Sequence, residues 1–186
     1  MKRTIKYILT RIKCLNSKVQ AEAGAYIGLT SKVENAGGII TLGQKAKVRP
    51  QTHLYASEGA VIEIGENAEI GRGSTISSVH LVQIGKGVLT GPRVYISDHN
   101  HEYRNITCPI YSQGVHCNSG DRIYVGNGSW LGTNVVIAGN VYIGRNCVIG
   151  ANSVVTCDIP DYSVAVGTPA RVVKRYNPET ATWDKV

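Results

Sequence analysis

Between residues 125 and 159 the chain repeats every six positions. Val125, Leu131, Ile137, Ile143, Ile149 and Val155 are aliphatic, each six residues from the last. Gly or Ala follows at Gly126, Gly132, Ala138, Gly144 and Gly150, with Thr156 the one exception. Four residues after each aliphatic stands a small or β-branched residue or a cysteine: Ser129, Val135, Val141, Cys147, Ser153, Ile159. A helix repeats at 3.6 and a half-buried strand at 2, so neither yields an unbroken six. A six-residue period marks a β-solenoid, whose units bury their apolar side only against their neighbours. Each hexad makes one short strand and one corner of a three-sided prism. Three hexads close a coil, which puts Val125 under Ile143 and Leu131 under Ile149. The residue after the aliphatic is small because the corner is tight.

Composition agrees. A chain of 186 residues with 6% aromatic residues, no Phe and 21 Gly suits one narrow prism filled by Ile, Val and Leu. No apolar run is long enough for a membrane span. Lys6, Arg11 and Lys13 interrupt the apolar residues near the N-terminus, so no signal peptide is expected there. Five scattered cysteines without a CxxC pair suggest reduced thiols and a cytoplasmic location. Cys147 occupies a small-residue slot of the repeat, and Cys108 and Cys117 flank a loop segment. Of a net charge of +7, six positives fall on Lys2, Arg3, Lys6, Arg11, Lys13 and Lys18, with no acid among residues 1–20. The remainder is nearly balanced, which argues against a body that binds nucleic acid.

Taken in order, the chain divides into a basic amphipathic helix (1–20), a β-helix (21–170) interrupted by a loop (98–122), and a closing segment and tail (171–186). Ile5, Ile8, Leu9, Ile12 and Leu15 fall at helical spacing within residues 2–16. Such a helix could lie on an anionic membrane surface, at the inner face of a membrane, or pack on the first coil of its own or a neighbouring subunit. Residues 24–60 are degenerate repeat of uncertain register. Ile64-Gly65, Ile70-Gly71 and Ile76-Ser77 keep the count, but Ile84-Gly85 comes eight positions later. Two extra residues therefore bulge near Val79-His80. Thr90-Gly91 and Ile96-Ser97 resume the period, and residues 98–122 abandon it. A long segment without repeat inside a compact domain is usually functional. This one carries His99, His101 and His116.

His99 stands just beyond a strand, at the mouth of that loop. Imidazole accepts a proton near neutrality, which is what an alcohol needs to become a nucleophile. Several features sit together here: Gly91-Pro92, His99, Cys108-Pro109-Ile110, Gln113-Gly114, Ser129-Trp130-Leu131-Gly132 and Gly167-Thr168-Pro169-Ala170-Arg171. With them, the stretch from Ile84 to Lys174 resembles the hexapeptide-repeat maltose, galactoside and polysaccharide O-acetyltransferases. The resemblance implies an all-β, left-handed parallel β-helix assembled as a homotrimer. It implies acetyl-CoA as co-substrate and a sugar or oligosaccharide acceptor, on a surface polysaccharide or its precursor. His99 matches the family's base, with His101 the second choice and Asp98 a weakly matched partner that could orient the imidazole. Gly91, Trp130, Thr133 and Ala151 match positions along the pantetheine arm. Thr156 lies nearer the nucleotide, and Cys157 stands where the family often has Lys. Arg171 and Lys174 match basic residues that meet phosphates. Two other readings stay open: a zinc lyase like the γ-class carbonic anhydrases, drawing on His80, His99, His101 and His116, and a non-catalytic scaffold.

Overall fold

The computed structural model describes residues 2–186, with side chains from Ile8 onward. The chain winds as a left-handed parallel β-helix with three walls. The first sheet runs from Val19–Ala21 through Ile39–Leu42, Val61–Ile64, Leu81–Ile84 and Ile123–Val125 to Val141–Ile143. The second passes from Tyr26–Ile27 through Lys47–Val48, Glu69–Ile70, Leu89–Thr90, Trp130–Leu131 and Val148–Ile149 to Ser163–Val166. The third holds Lys32–Asn35, His53–Ala56, Thr75–Ser78, Tyr95–Ser97, Val136–Ala138 and Val154–Val155. Val125 pairs with Ile143 and Leu131 with Ile149, the register that the hexads require.

The repeating aliphatics point inward and are almost wholly buried, among them Ile62, Ile84, Ile96, Leu131 and Ile137. Their strand neighbours point out, because side chains alternate across a strand. Each such Ile or Leu contributes about 1.5–3 kcal/mol by leaving water. The corners explain the glycines. A methyl group on Gly71 would overlap the carbonyl oxygen of Gly91, and one on Gly91 would stand 2.7 Å from the amide nitrogen of Thr133. Turn residues Asn67, Asn134, Asn146 and Asn152 take positive φ, which Asn tolerates better than most. We expect Gly71→Ala to lower stability by about 1–3 kcal/mol, as overpacking does. Urea unfolding checks this, and an unchanged midpoint would mean that the corners have slack.

Three segments differ from their sequence reading or exceed it, while the helix keeps its expected span. Residues 24–60 are regular coils, only longer: Ile40 pairs with Ile62, a step of 22, whereas Val125 to Ile143 is a step of 18. Extra corner residues there hid the period without changing the walls. The loop 98–122 is not structureless, since Asn100–His101 and Val115–His116 form an antiparallel ribbon, with a short 3-10 turn, Ile110–Ser112, in the chain between them. The tail extends the second sheet through Arg171–Asn177 and Thr182–Lys185, both antiparallel, with Tyr176 edge-on to Trp183 at 5.5 Å. The helix α1 covers Lys2–Asn16, and the first strand begins at Val19.

Helix α1 does pack on the first coil of its own chain, and among its described side chains the buried ones are Thr10 and Cys14, not Ile8, Leu9, Ile12 or Leu15. The Thr10 hydroxyl accepts from the Ile27 amide at 3.2 Å, and the Lys13 ammonium donates to the carbonyls of Gly28, Leu29 and Ser31. These are carbonyls of the solenoid's open end, which the helix supplies with donors.

A candidate active site at the mouth of the loop

The strand Tyr95–Ser97 lies inside the third sheet, between Thr75–Ser78 and Val136–Ala138, and Asp98 follows at the corner where the chain leaves the prism. Asp98 is buried. One carboxylate oxygen accepts from the Ser78 hydroxyl at 2.7 Å and the His80 amide at 2.9 Å. The other accepts from the Val79 amide at 3.0 Å and lies 2.9 Å from His99 Nδ1. The bulge at Val79-His80 now has a cause. A coil without those two residues would run straight from Ser78 into the next strand. The extra residues turn two backbone N–H groups onto a carboxylate that would otherwise be buried at high cost.

Burial by itself pushes the Asp98 carboxyl upward. The hydrogen bonds from His99, the Val79 amide, Ser78 and the His80 amide outweigh it and hold the group below the usual carboxylate range. Asp98 is therefore an anion at neutral pH. An anion beside Nδ1 keeps the proton on that nitrogen, which leaves the lone pair of a neutral imidazole on Nε2. Ser97 adds a second tether, donating to the His99 carbonyl at 2.9 Å and lying 3.3 Å from Nδ1. Among the described residues His99 Nε2 has no hydrogen-bond partner, and the side chain is 16% exposed. The result is a fixed ring with its basic nitrogen at the protein surface.

The other histidines are placed differently. His101 sits exposed on the ribbon opposite Val115. His116 lies against Arg104 and Glu102, and His53 Nε2 is 2.6 Å from Glu34. Among the described residues no three His, Cys, Asp or Glu side chains converge as a metal would need.

The positions matched to the cofactor fall into groups. Gly91, Thr133 and Ala151 stack along the corner between the second and third sheets: a methyl on Gly91 would meet Thr133, and one on Gly132 would meet Ala151. Trp130 stands beside that corner, on the outward face of the second sheet between Leu89 and Val148, and is half exposed. Arg171 continues the same column, paired with Val166, and its guanidinium donates to the Ala170 carbonyl at 2.8 Å. Lys174 is exposed three residues on, opposite Val164. Thr156 lies elsewhere. It follows Val154–Val155 and so occupies the corner of Asp98 and His99, nearer the C-terminal end of the prism. The width of the third sheet separates the column from His99. Ser78, Ser97 and the two bulge amides were not picked out from the sequence as functional; the eight-residue step between Ile76 and Ile84 was their only signal.

Comparison with known proteins speaks to the family and the fold. The family of bacterial transferase hexapeptides (six repeats) matches residues 122–157. A protein of Escherichia coli K12 named for O-acetyl transfer in lipopolysaccharide biosynthesis, WbbJ, is 33% identical over 152 residues, covering 80% of this chain and 78% of that one. The galactoside O-acetyltransferase of the same organism is 36% identical over 156 residues, covering 79% and 71%. Among solved structures, a maltose O-acetyltransferase from Clostridium difficile 630 superposes with a TM-score of 0.54 at 26% identity, over 93% of this chain and 85% of that one. A mutant of AntD, an N-acyltransferase from Bacillus cereus, superposes with a TM-score of 0.73 over 91% and 90%, but at 17% identity it speaks for the fold alone. On the repeat and on two relatives above 30% identity, the chain belongs to the hexapeptide-repeat acetyltransferases and is an acyltransferase.

Proposed function

We propose that this enzyme transfers an acetyl group from acetyl-CoA to a sugar hydroxyl, on a surface polysaccharide or its precursor, with His99 as general base. The observation that carries the reading is the Asp98–His99 pair, 2.9 Å apart, with Nε2 left open at the loop mouth. The names of the relatives support a hydroxyl acceptor, since they speak of galactoside, maltose and lipopolysaccharide O-acetylation. Nε2 removes the hydroxyl proton as the sugar oxygen attacks the acetyl carbonyl. A C–O bond forms, the C–S bond breaks, and the imidazolium returns its proton to the departing thiolate. The Asp98 carboxylate steadies the imidazolium while it exists.

The column of Gly91, Thr133 and Ala151 suits the pantetheine arm, because small corners let a slender chain lie close to backbone. Trp130 offers an apolar wall, and Arg171 a charge at the end of the column for phosphate. Lys174 lies further out and would meet the nucleotide end, and Thr156, at the His99 corner, would approach it from the neighbouring subunit. This column and His99 are at different corners of the prism. We therefore place the active site between subunits of a homotrimer, where one copy's column meets a neighbour's His99. Exposed Leu89, Tyr95 and Trp130 on the walls, with Ile106, Ile110 and Tyr111 on the loop, provide apolar surface for such contacts. We also assign the enzyme to the cytoplasm, where acetyl-CoA is made.

The direct test is a screen of sugars and oligosaccharides with labelled acetyl-CoA. Label on a sugar hydroxyl is the expected result, and label only on amines would overturn the acceptor assignment. Trp130→Ala should raise KM for acetyl-CoA about tenfold while kcat stays near that of the parent enzyme, as loss of a binding wall does. Equal loss in kcat would instead put Trp130 in contact with the reacting atoms.

A further inference from the structure

Among its described side chains, the first helix turns the large apolar ones toward solvent. Thr10 and Cys14 face the first coil, and Lys13 reaches over to its carbonyls. At 100° per residue, Ile8, Ile12 and Leu15 lie on roughly the opposite side of the helix. Leu15 is 79% exposed, and Ile8, Leu9 and Ile12 are 40–52% exposed. In sequence the same spacing extends back to Ile5. A helix that served only to close the solenoid would bury this stripe and expose the small polar residues. Here the arrangement is reversed.

The charge around the stripe selects the occupant. Residues 1–20 hold six Lys and Arg and no acid, nearly the whole net charge of the chain. A second copy of the helix on this stripe would set two such cationic segments against each other. A nucleic acid would use the charge but not the isoleucines and leucines. An anionic bilayer uses both, taking the apolar side chains among its acyl chains and the cations among its headgroups. Among the described residues no helix is long and apolar enough to cross a membrane, so the contact would lie in the interface. We propose that helix α1 is a peripheral anchor that docks this enzyme on an anionic lipid surface, with the first coil of the β-helix toward the bilayer. The proposal is independent of the acetyl-transfer reading, because its test measures partitioning and not turnover.

The experiment is sedimentation of the full-length protein with phosphatidylcholine vesicles, either pure or containing about one-third phosphatidylglycerol. The expected result is binding to the anionic vesicles, little to the neutral ones, and release as salt is raised. Ile8→Ser, Ile12→Ser and Leu15→Ser together should weaken binding at least about tenfold, since interfacial binding scales with buried apolar area. Arg11→Glu with Lys18→Glu should weaken it comparably; both residues are exposed. Because the three apolar residues touch solvent, the triple variant should keep the parent melting temperature. Equal binding by the parent and the triple variant, or equal binding to neutral vesicles, would overturn the proposal. So would a smaller particle mass for the triple variant in light scattering, which would assign the stripe to contact between copies.

Discussion

His99→Ala is expected to lower the acetyl-transfer rate by about 10²–10⁴, the usual contribution of a positioned general base. Its fold should survive, because among the described residues the ring is hydrogen-bonded only to Asp98 and Ser97, at the rim of the prism. Steady-state kinetics with the acceptor found by screening, alongside a melting curve, would check both halves. His101→Ala is the control. It sits on the ribbon without a side-chain hydrogen bond among the described residues, so its rate should stay near that of the parent. If His101→Ala were the dead variant and His99→Ala the active one, the base would have to be reassigned, and the burial of Asp98 would need another explanation.

Asp98→Asn is expected to damage both turnover and stability. The carboxylate accepts four hydrogen bonds, two on each oxygen. An amide of the same shape offers one acceptor oxygen and places an NH2 group against donors. Each donor left unmet costs about 1–3 kcal/mol. Loss of the anion also frees His99 to carry its proton on Nε2, the wrong nitrogen for a base, so kcat should fall on the order of 10²–10⁴. Ser78→Ala, which deletes one of the four bonds, should show a smaller version of both effects.

The acid limb of stability should change as well. The Asp98 carboxyl lies below its unfolded value in the folded protein. Its contribution is therefore fully present above the unfolded pKa of about 3.9 and is lost as pH falls through the lower folded value. Between neutrality and about pH 3 the parent should lose more stability than Asp98→Asn does. Urea unfolding across that range would show the two curves converging toward acid. Parallel curves would mean that Asp98 is not an anion in the folded state.

Much of the architecture was legible because a solenoid's core is periodic. An inward Ile or Val must recur once per wall, and a corner must be small wherever the next coil's backbone crosses it closely, as at Gly71 and Gly91. Residues 24–60 defied the count because their corners carry extra residues, which change the spacing but leave the walls intact. The ribbon in the loop was missed since two-residue strands such as Asn100–His101 have no pattern to read. His99 stood out as a reactive group among inert ones. Its partner was only weakly indicated, since an aspartate beside a histidine gives no sign of which way either side chain turns.

The sequence alone determined the prism, the register of the hexads between residues 125 and 159, and the family resemblance, because these are written in a six-residue period and a handful of corner and loop motifs. Tertiary structure decided how the imidazole is held. The Ser78 hydroxyl and the amides of Val79 and His80 reach Asp98 from the previous coil, across a distance that only winding can close. It also decided which side of helix α1 meets the body. Helical spacing shows that an apolar stripe exists, but only packing reveals that Thr10 and Cys14 face inward, leaving Ile8, Ile12 and Leu15 exposed.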